Sequence, residues 1–599
     1  MQLAEATCRQ GLALAPNDPA AWQLLGRIAH ETGNHAVAIE CFERTVRLDP
    51  GNPAAHNNLG ILLKNQGRLL EAMACYQHAL RLKPDFVQAC NNLGNVWQQL
   101  GKLDEAIASC RRAIEINPNF PDPYVTLGNI YREQDRWDEA VAIYEQALAL
   151  NQNLAAAHYG LAHILKDRGQ LDAAIARYHR ATKLKPDVAR YHSSLVYALN
   201  FHAGIDAHSI LEEHRRWNQL HAEPLSRFIE PHVNDRSPDR RLRVGYVSPD
   251  FRSHSVGRFI LPLLQAHDHD RLEVFCYSSV RKPDAFTASC QASADTWRDV
   301  LACSDEELAQ TIRKDQIDIL VDLTMHTADS RLLVFARKPA PVQVTYLAYC
   351  GTTGLSAIDY RITDVYLDPP GHDTSIYSEQ SVRLPEAYWC YRPMAEAPEV
   401  SSLPAARNGM VTFGSMNNFC KVTQPTLAAW SRLLQVIPQS RLILHMRQGA
   451  HREELLRSFE QQGIARQRLV LMDWLNIAEY FKNYAQVDIA LDPFPHGGGT
   501  TTCDALWMGV PVVSLAGQMA VSRGSLSILS NLGLADLVAF DVDRYIQIAA
   551  NLAADLPRLG ELRSSLRGRM QKSPLMDEPR FARHIEAAYR EMWHRWCVR

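Results

Sequence analysis

The sequence predicts an all-α repeat superhelix followed by an α/β region of two doubly wound, Rossmann-like lobes. Three observations predict this fold class in a chain of 599 residues. Prolines and small residues recur every 34 residues through the first third. From Leu242, short apolar runs alternate with helical stretches, and a second alternating set follows a polar, proline-containing stretch at 385–409. Such alternation is typical of parallel sheets with helices on both faces.

The repeat region predicts helix–turn–helix units that stack on one another. Small residues and an aromatic let paired helices approach closely, each Asx/Lys-Pro step ends a helix, and glycine fits the turn between helices. Residues 1–16 resemble the second helix of a truncated unit. The phased positions are Pro16, Pro50, Pro84, Pro118 and Pro186; Gly26, Gly60, Gly94 and Gly128; Ala38, Ala72, Ala106, Ala140 and Ala174; and Gly33, Gly67, Gly101 and Gly169. This pattern resembles the tetratricopeptide family.

Stacked units of this kind form a concave face that binds peptides. Asparagine amides on that face could hydrogen-bond a peptide backbone whatever its side chains. The alternative is that these amides are solvated helix residues. The candidates are Asn58, Asn92, Asn95 and Asn129.

Composition narrows the functional classes. With 46% apolar and 22% charged residues the chain can build a core, and a net charge of −3 offers no basic field for nucleic acid or an anionic membrane. The 13 cysteines show no CxxC, which favours reduced thiols over a disulfide frame or a zinc site. The N-terminus shows no signal pattern, and no run of 18 apolar residues could span a membrane. We therefore expect a cytoplasmic protein.

The α/β region reads as two lobes joined by a linker. Buried strands are predicted at LRVGYVSPD, LEVFCYSS, IDILVDLT, PVQVTYLAY and YRITD, and then at GMVTFGSMN, SRLILHM, RLVLMDW, VDIALDP, PVVSL and LVAF. The predicted domains are the repeat array with its capping helix at 1–200, a helical linker at 201–241, a first lobe at 242–400, and a second lobe at 401–599 with a closing C-terminal helix. Ligands of such sheets lie at the carboxyl ends of the strands, in the cleft.

A glycine- and threonine-rich loop, PFPHGGGTTT, follows one of these predicted strands and opens a helix. Free N–H groups and the positive dipole end make a helix start an anion site, and Gly497, Gly498 and Gly499 allow close backbone approach. The hydroxyls of Thr500, Thr501 and Thr502 add donors, and Asp504 in the first turn could accept from a ribose or sugar. The loop is neither a Walker P-loop nor a GxGxxG motif, and the alternative is a simple turn.

Two further residues follow predicted strands and should face the same cleft. Lys421, in VTFGSMNNFCKVT, can offset charge on a leaving diphosphate, although most lysines are solvated. His254, in SPDFRSHSVGRF, can orient a hydroxyl or relay a proton near neutral pH, although a lone loop histidine is more often structural.

These motifs, together with KPAPVQVTYLAYCGTTGLSAIDYRITD and FPHGGGTTTCDALWMGVP, resemble the O-linked N-acetylglucosamine transferase family, especially its SPINDLY branch. The resemblance implies a GT-B fold. It also implies an inverting, metal-independent transfer of a sugar from a nucleotide donor to serine or threonine of proteins. The first lobe would serve the acceptor and the second the nucleotide sugar, with no cofactor beyond the donor UDP-GlcNAc.

The resemblance also assigns roles to individual residues. Lys421 would hold the donor diphosphate with Asn418 nearby, Thr500 and Thr501 the β-phosphate, and Asp504 the ribose. His254 would lie beside the sugar and the acceptor as the candidate base, with a donor phosphate oxygen or water as alternatives. The backbone at Leu347 and Ala348 would bind sugar hydroxyls.

Some positions depart from the animal pattern. Animal members have histidine at Gly499 and glutamine at Asn418, Tyr480 stands where they stack a histidine on the base, and Cys350 replaces a proline. Plant SPINDLY proteins are associated with GDP-fucose, so GDP-fucose is an alternative donor. A non-catalytic repeat scaffold is the alternative from another class. The DxD of FDVDRY, at 540–545, is interpreted as a surface turn.

Overall fold

A computed structural model describes residues 2–473 and 475–598, with side chains from Glu5 onward. Trp474, at the end of the predicted strand RLVLMDW, lies outside the described residues. The chain forms two compact units, Met1–Ile164 and Leu165–Arg599. The domain boundaries predicted at 200, 241 and 400 follow repeat phase and composition rather than compactness, and they stay predictions.

The first unit is a series of helical hairpins that keeps the 34-residue step. The first helices of successive hairpins begin at Pro19, Pro53 and Val87, and the second helices at His35, Leu69 and Leu103. The helices are α1 (Gln2–Leu14), α2 (Pro19–Glu31), α3 (His35–Leu48), α4 (Pro53–Asn65), α5 (Leu69–Leu82), α6 (Val87–Gln99), α7 (Leu103–Ile116), α8 (Asp122–Glu133), α9 (Trp137–Leu150) and α10 (Ala155–Asp167), the last ending just past the division between the units.

Close packing explains why the small residues recur. A Cβ on Gly60 would lie 2.7 Å from the Tyr76 ring, and one on Gly128 would lie 2.6 Å from the Tyr144 ring. Both tyrosines are completely buried, so neither ring has room to move aside. Glycine thus brings the two helices of a hairpin into contact, as the sequence predicts. The turn glycines Gly33, Gly67 and Gly101 adopt φ of +74 to +78°, which favours glycine.

Helices α11 (Leu171–Leu184), α12 (Ala189–Leu199) and α13 (Ala207–Trp217) begin the second unit. A seven-stranded parallel sheet follows in the order β3-β2-β1-β4-β5-β6-β7. Its strands are β1 (Leu242–Ser248), β2 (Leu272–Ser278), β3 (Thr296–Asp299), β4 (Ile319–Asp322), β5 (Val342–Thr345), β6 (Tyr360–Asp364) and β7 (Gln380–Leu384). Its helices are α14 (Ser255–Ala266), α15 (Ala285–Ala292), α16 (Asp305–Lys314) and α17 (Leu332–Phe335).

A second parallel sheet of six strands has the order β10-β9-β8-β11-β12-β13. Its strands are β8 (Val411–Ser415), β9 (Ser440–His445), β10 (Leu469–Met472), β11 (Ile489–Leu491), β12 (Val512–Leu515) and β13 (Val538–Ala539). Its helices are α18 (Pro404–Asn408), α19 (Gln424–Val436), α20 (Ala450–Gln461), α21 (Ile477–Asn483), α22 (Thr500–Trp507), α23 (Gly524–Ser530), α24 (Val542–Ala554), α25 (Leu556–Gln571) and α26 (Glu578–Cys597). The last helix packs on α14 of the first lobe, where Glu586 lies 2.9 Å from His267.

The order of the strands determines where a ligand can bind. In each sheet the chain starts near the middle, runs to one edge, and then crosses back to continue on the other side. The strand order therefore reverses between β1 and β4 in the first sheet and between β8 and β11 in the second. Loops at the carboxyl ends of strands beside such switch points splay apart and leave a crevice. The loops after β1, β8 and β11 carry His254, Lys421 and the glycine–threonine segment.

Candidate functional site

A cavity of about 660 Å³ lies among these loops in the second unit. The loops after β1, β4 and β5 line it from the first lobe, and those after β8 and β11 from the second. The predicted site residues that line it are His254, Leu347, Ala348, Asn418, Lys421, Gly498, Gly499, Thr500 and Thr501. Thr502, Asp504 and Tyr480 lie behind this wall.

The glycine–threonine loop, residues 497–502, is drawn tightly over the end of β11. A Cβ on Gly497 would lie 2.8 Å from Asp492 Oδ2, and a Cβ on Gly498 would lie 2.5 Å from Thr502 Oγ1. Only glycine permits this approach at both positions. Helix α22 begins directly afterwards, with Gly499 as its N-cap. Its first-turn N–H groups have no acceptor within the helix, and a bound anion could accept hydrogen bonds from them.

Asp492 supports the loop from below, and sequence reasoning missed it. It accepts hydrogen bonds from Gly498 N at 2.7 Å, Ser525 Oγ at 2.6 Å and Ser514 Oγ at 2.9 Å. Burial raises the pKa of this carboxyl group. The sequence feature that could have identified Asp492 is its position at the end of a predicted strand, directly before the glycine-rich segment.

The three threonines are differently placed. Thr500 lines the cavity, and Thr501 donates from Oγ1 to Asn417 Oδ1 at 2.8 Å. Thr502 is buried and its Oγ1 lies 2.9 Å from Ser525 Oγ, so this hydroxyl supports the loop in this structure. Asn417 fixes the Thr501 rotamer and was not singled out from the sequence, although it precedes the predicted Asn418.

Lys421 reaches the same loop from β8. Its Nζ donates to the carbonyl oxygen of Gly497 at 2.7 Å. Within residues 2–473 and 475–598, no carboxylate oxygen lies within 4 Å of this ammonium group. Burial lowers the pKa of Lys421, and the nearby charge of Asp492 offsets this only in part. A cation held in this way is suited to a ligand with negative charge. Asn418 is exposed beside it and caps the short helix Phe419–Lys421.

His254 faces the cavity from the N-cap of α14. Its Nδ1 lies 3.3 Å from Val256 N and 3.5 Å from Asp250 Oδ1. Burial lowers the pKa of the ring, which favours the neutral imidazole. When Nδ1 carries the proton and faces Asp250, the Nε2 lone pair is free to accept. When Nδ1 accepts from Val256, Nε2 carries the proton and donates.

Leu347 and Ala348 hold an unusual backbone conformation where they line the cavity. Their φ angles are +63° and +52°, in the left-handed region that non-glycine residues rarely adopt. The Leu347 carbonyl also accepts from Tyr388 Oη at 3.2 Å. Two consecutive left-handed residues orient their peptide N–H and carbonyl groups differently from those of a strand or a right-handed helix. Such conformations cluster at binding sites.

Asp504 and Tyr480 meet each other rather than the open cavity. Asp504 is 1% exposed, and its carboxylate is bonded by Arg258 and by two tyrosine hydroxyls, one from Tyr480 at 3.1 Å. The predicted contacts of Asp504 with ribose and of Tyr480 with a base therefore stay predictions, and they require these groups to exchange partners.

Trp389 is a wall residue that sequence reasoning missed. It comes from the segment after β7 and lies over Gly499, where a Cβ would be 3.5 Å from Trp389 Cζ2. It also covers Gly524, where a Cβ would be 3.2 Å from Trp389 Cη2. A methyl group at Gly499 would make only an ordinary contact with the indole ring, whereas one at Gly524 would crowd it. No local pattern in the sequence indicates this contact between distant segments.

In the repeat unit the four predicted asparagines are half-buried on the first helices of their hairpins. Asn92 Nδ2 donates to Asn57 Oδ1 at 3.0 Å, and Asn129 Oδ1 accepts from Tyr144 Oη at 2.7 Å. Asn95 Nδ2 donates to the carbonyl of Asn91 at 3.1 Å. Asn58 borders a smaller cavity with Arg27 and Phe42.

Neither a metal-binding cluster nor a membrane-spanning helix is found in the part of the chain that the structure describes. Among the residues that the structure describes, no group of three or more His, Cys, Asp or Glu side chains could hold a metal ion. In the DxD motif, Asp541 caps α24 and Asp543 is 82% exposed. Across the described helices, none has the length and apolar character needed to cross a bilayer.

Comparison with known protein families agrees with this geometry. The sequence profile described as glycosyl transferase family 41 matches residues 175–394 and 401–585. Tetratricopeptide repeat profiles match residues 53–86, 87–120, 109–142 and 131–196. These matches confirm the predicted resemblance, the repeat array and the prediction of a glycosyltransferase.

Individual relatives give the same result. A protein of Solanum lycopersicum named probable UDP-N-acetylglucosamine–peptide N-acetylglucosaminyltransferase SPINDLY is 41% identical over 396 residues, covering 65% of this chain and 42% of that protein. The Arabidopsis thaliana protein named SEC is 31% identical over 371 residues, covering 60% and 38%. The chain thus spans less than half the length of these relatives.

A solved structure confirms the predicted fold class. A point mutant of Thermobaculum terrenum O-GlcNAc transferase superposes with a TM-score of 0.81 at 36% identity. The match covers 86% of this chain and 98% of that one.

Proposed function

Because the chain belongs to glycosyl transferase family 41, we propose that it transfers N-acetylglucosamine from UDP-GlcNAc to serine and threonine hydroxyls of proteins. One observation carries the proposal. Lys421 and the N-terminal tip of α22, from loops at one switch point, line a single cavity, with Nζ 2.7 Å from the glycine–threonine loop. This pairing of a desolvated cation with free helix N–H groups suits a diphosphate.

The chemistry follows from where charge develops. The acceptor hydroxyl attacks the anomeric carbon from the face opposite the nucleotide, so the configuration inverts and the glycosyl–phosphate bond breaks. Negative charge grows on the diphosphate as it leaves. Lys421, the Thr500 hydroxyl and the first N–H groups of α22 stand ready to stabilise that charge without reorganising, which is usually the largest catalytic term. In this proposal they supply the positive charge, and no metal ion is required.

His254 is the candidate for the acceptor proton. The lowered pKa of the ring keeps it neutral near pH 7, and the tautomer with Nδ1–H directed at Asp250 leaves Nε2 free to accept a proton. A donor phosphate oxygen or water is the alternative base. The peptide groups of Leu347 and Ala348 supply hydrogen-bonding groups for sugar hydroxyls from the first lobe.

Protein acceptors would be held by the repeat unit. Each amide of Asn58, Asn92, Asn95 and Asn129 has more hydrogen-bonding capacity than the contacts described above use. Asn58 and Asn92 are 34 residues apart, as are Asn95 and Asn129, so amides recur from one hairpin to the next. Amides repeated in this way can hold an extended backbone with little regard to its side chains.

The choice of donor is the sharpest test. The purified chain is incubated separately with UDP-GlcNAc and GDP-fucose, with and without serine/threonine peptides and EDTA, and the released nucleotide is measured. We expect UDP release that peptides increase and EDTA leaves unchanged. Release of GDP alone would instead establish the fucosyl donor. If neither donor turns over and calorimetry detects no UDP or GDP binding, the chain is a repeat scaffold.

A further inference from the structure

A buried ion pair joins the two lobes behind the cavity. Arg258 of α14 donates from Nη1 to Asp504 Oδ2 at 3.0 Å and from Nη2 to Asp504 Oδ1 at 2.5 Å. The two residues are only 8% and 1% exposed. A bidentate guanidinium–carboxylate pair has a defined geometry in both distance and plane, so it constrains the two helices that carry it.

The pair stands one helical turn behind each functional tip. His254 is the N-cap of α14, and the N–H of Arg258 donates to its carbonyl oxygen at 2.9 Å. On the other side, Asp504 lies four residues after Thr500, the first residue of α22. At ~1.5 Å rise per residue, each tip is about 6 Å along its helix from the ion pair. A shift of the pair therefore changes the spacing between the candidate base and the anion site.

The surroundings leave the carboxylate little freedom. Tyr391 Oη donates to Asp504 Oδ1 at 2.7 Å, and Tyr480 Oη donates to Oδ2 at 3.1 Å. With the two bonds from Arg258, both oxygens are fully used, since a carboxylate offers about four acceptor positions. Tyr480 is further held by Tyr484 Oη at 2.8 Å. A ribose hydroxyl that binds Asp504 has to replace one of these four donors.

We propose that Arg258 is a positioning residue for the transfer reaction: from the first lobe it holds Asp504, and through it sets the spacing between His254 and the glycine–threonine loop. The proposal rests on the proposed function. Arg258 touches neither the cavity nor the reacting atoms, and acts through the two helices. In the donor complex the Arg258–Asp504 bonds persist, and the Tyr480 bond is the one exchanged.

The test separates positioning from stability by removing the pair in two ways. Arg258→Met alone leaves a buried carboxylate without its cation, so both the unfolding midpoint and kcat should fall. Arg258→Met with Asp504→Asn leaves no unpaired buried charge and keeps an acceptor for the tyrosines. We expect this double variant to regain a midpoint within about 3 °C of the wild type. Its kcat for donor hydrolysis should stay about tenfold or more below that of the wild type, because a small misplacement of catalytic groups lowers the rate by that much. Its KM should stay within about threefold of the wild-type value.

Arg240→Met is the matched control. Arg240 pairs with Asp318 at 2.6 Å and 2.7 Å, in the same unit and away from the cavity. This variant should lower the midpoint and leave kcat and KM at 25 °C unchanged. If kcat of the double variant recovers together with its midpoint, the ion pair is merely structural and the proposal is wrong.

Two further measurements distinguish the other failures. If Asp504 acts mainly as a ribose ligand, Asp504→Asn abolishes the preference for UDP over 2′-deoxy-UDP while Arg258→Met preserves it, and the positioning role is overturned.

If the wild type turns over neither donor, the proposed function fails, and amide hydrogen exchange decides the inference alone. Arg258→Met should then speed exchange at both 254–258 and 499–504, and Arg240→Met at neither. Unchanged exchange at the two tips would refute the coupling.

Discussion

The repeat unit and the α/β unit build their contacts over different lengths of chain. In the repeat unit Gly128 packs on Tyr144, 16 residues away, and the same arrangement is found with Gly60 and Tyr76. In the α/β unit Lys421 reaches Gly497 across 76 residues, and Arg258 reaches Asp504 across 246. The repeat unit is made of local contacts used many times. The site is made of distant contacts each used once.

The difference suggests that errors in the two units should have different consequences. A changed contact in the repeat unit loosens one hairpin, because each repeat packs mainly on its neighbours. A changed contact at the cavity removes a group that nothing else replaces. A variant in one unit that behaved like a variant of the other would weaken this contrast.

Lys421→Met should have the largest effect. Removing the ammonium group takes away the cation that faces the proposed diphosphate, so kcat should fall by roughly 10²–10³. Because burial lowers the pKa of Lys421, its charged form costs folding free energy, and methionine should leave the unfolding midpoint equal or higher. Nucleotide release and thermal unfolding measure the two effects.

Lys314→Met is the control for that variant, since Lys314 is an exposed lysine in the last turn of α16. It should alter neither rate nor midpoint. A large loss of stability in Lys421→Met, in step with its lost activity, would mean that Lys421 is a structural residue and would remove the main support for the proposed diphosphate site.

Acid should weaken the α/β unit through a buried histidine. His214 is completely buried, its Nδ1 lies 2.7 Å from the Ile210 carbonyl, and burial lowers its pKa to about 4. The unfolded state, with an ordinary pKa near 6.5, takes up the proton first as the pH falls. The neutral ring therefore stabilises the folded state fully above pH 6.5. This stabilisation decreases as the pH falls toward 4, and about 2 kcal/mol of it is lost at pH 5.

Denaturant unfolding at pH 7.5 and pH 5.0 measures this loss. His214→Phe keeps a buried ring without a titrating group, so the difference between the two pH values should shrink by about 2 kcal/mol. An identical pH dependence in the wild type and the variant would show that His214 is not the group responsible.

The contrast also explains what could be predicted from the sequence. The 34-residue step fixes the phase of the helices, and eleven strands were predicted from apolar runs. The two missed strands, β3 at TWRD and β7 at QSVRL, are the edges of the seven-stranded sheet, and edge strands need not be continuously apolar. Loop residues that follow strands, such as His254 and Lys421, could be proposed for one cleft because parallel strands end at the same edge.

Residues that support the site from elsewhere could not be found in this way. Asp492, Trp389 and Arg258 each act on the glycine–threonine loop or its helix. Asp492 and Arg258 lie within segments that the sequence singles out and Trp389 does not, yet no local pattern assigns any of them its role. Their roles depend on which strands are neighbours and how the two lobes face each other. Asp504 shows the converse. It is predicted in the first turn of its helix as a ligand contact, but it lies four residues after the start of α22, where its carboxylate accepts hydrogen bonds from Arg258 and two tyrosines.

Gly128→Ala should have a moderate and local effect. The new methyl group would lie 2.6 Å from the completely buried Tyr144 ring. Overpacking costs about 1–3 kcal/mol, and the gain in helix propensity offsets up to ~1 kcal/mol of it. We expect a net destabilisation of about 1–2 kcal/mol, with hydrolysis of free UDP-GlcNAc unchanged.

Gly568→Ala in α25 is the matched control, because no heavy atom lies within 4 Å of its Cβ position. It should stabilise by ~0.5–1 kcal/mol. In a Tyr144→Leu background, Gly128→Ala should lose its cost. Equal destabilisation in both backgrounds would show that the ring contact is not what requires glycine.

The smallest effects concern the two aspartates of the DxD motif, which distinguish a helix cap from a metal site. Asp541 Oδ1 accepts from Arg544 N at 2.7 Å at the start of α24, so Asp541→Ala should cost about 1 kcal/mol of stability. Asp543 is 82% exposed and pairs with Arg432 at 2.7 Å, so Asp543→Ala should stay within ~0.5 kcal/mol of the wild type. Both variants should keep the wild-type rate of nucleotide release, with or without EDTA. A rate loss in Asp543→Ala that added Mn²⁺ or Mg²⁺ restores would instead place a metal-binding function in this turn.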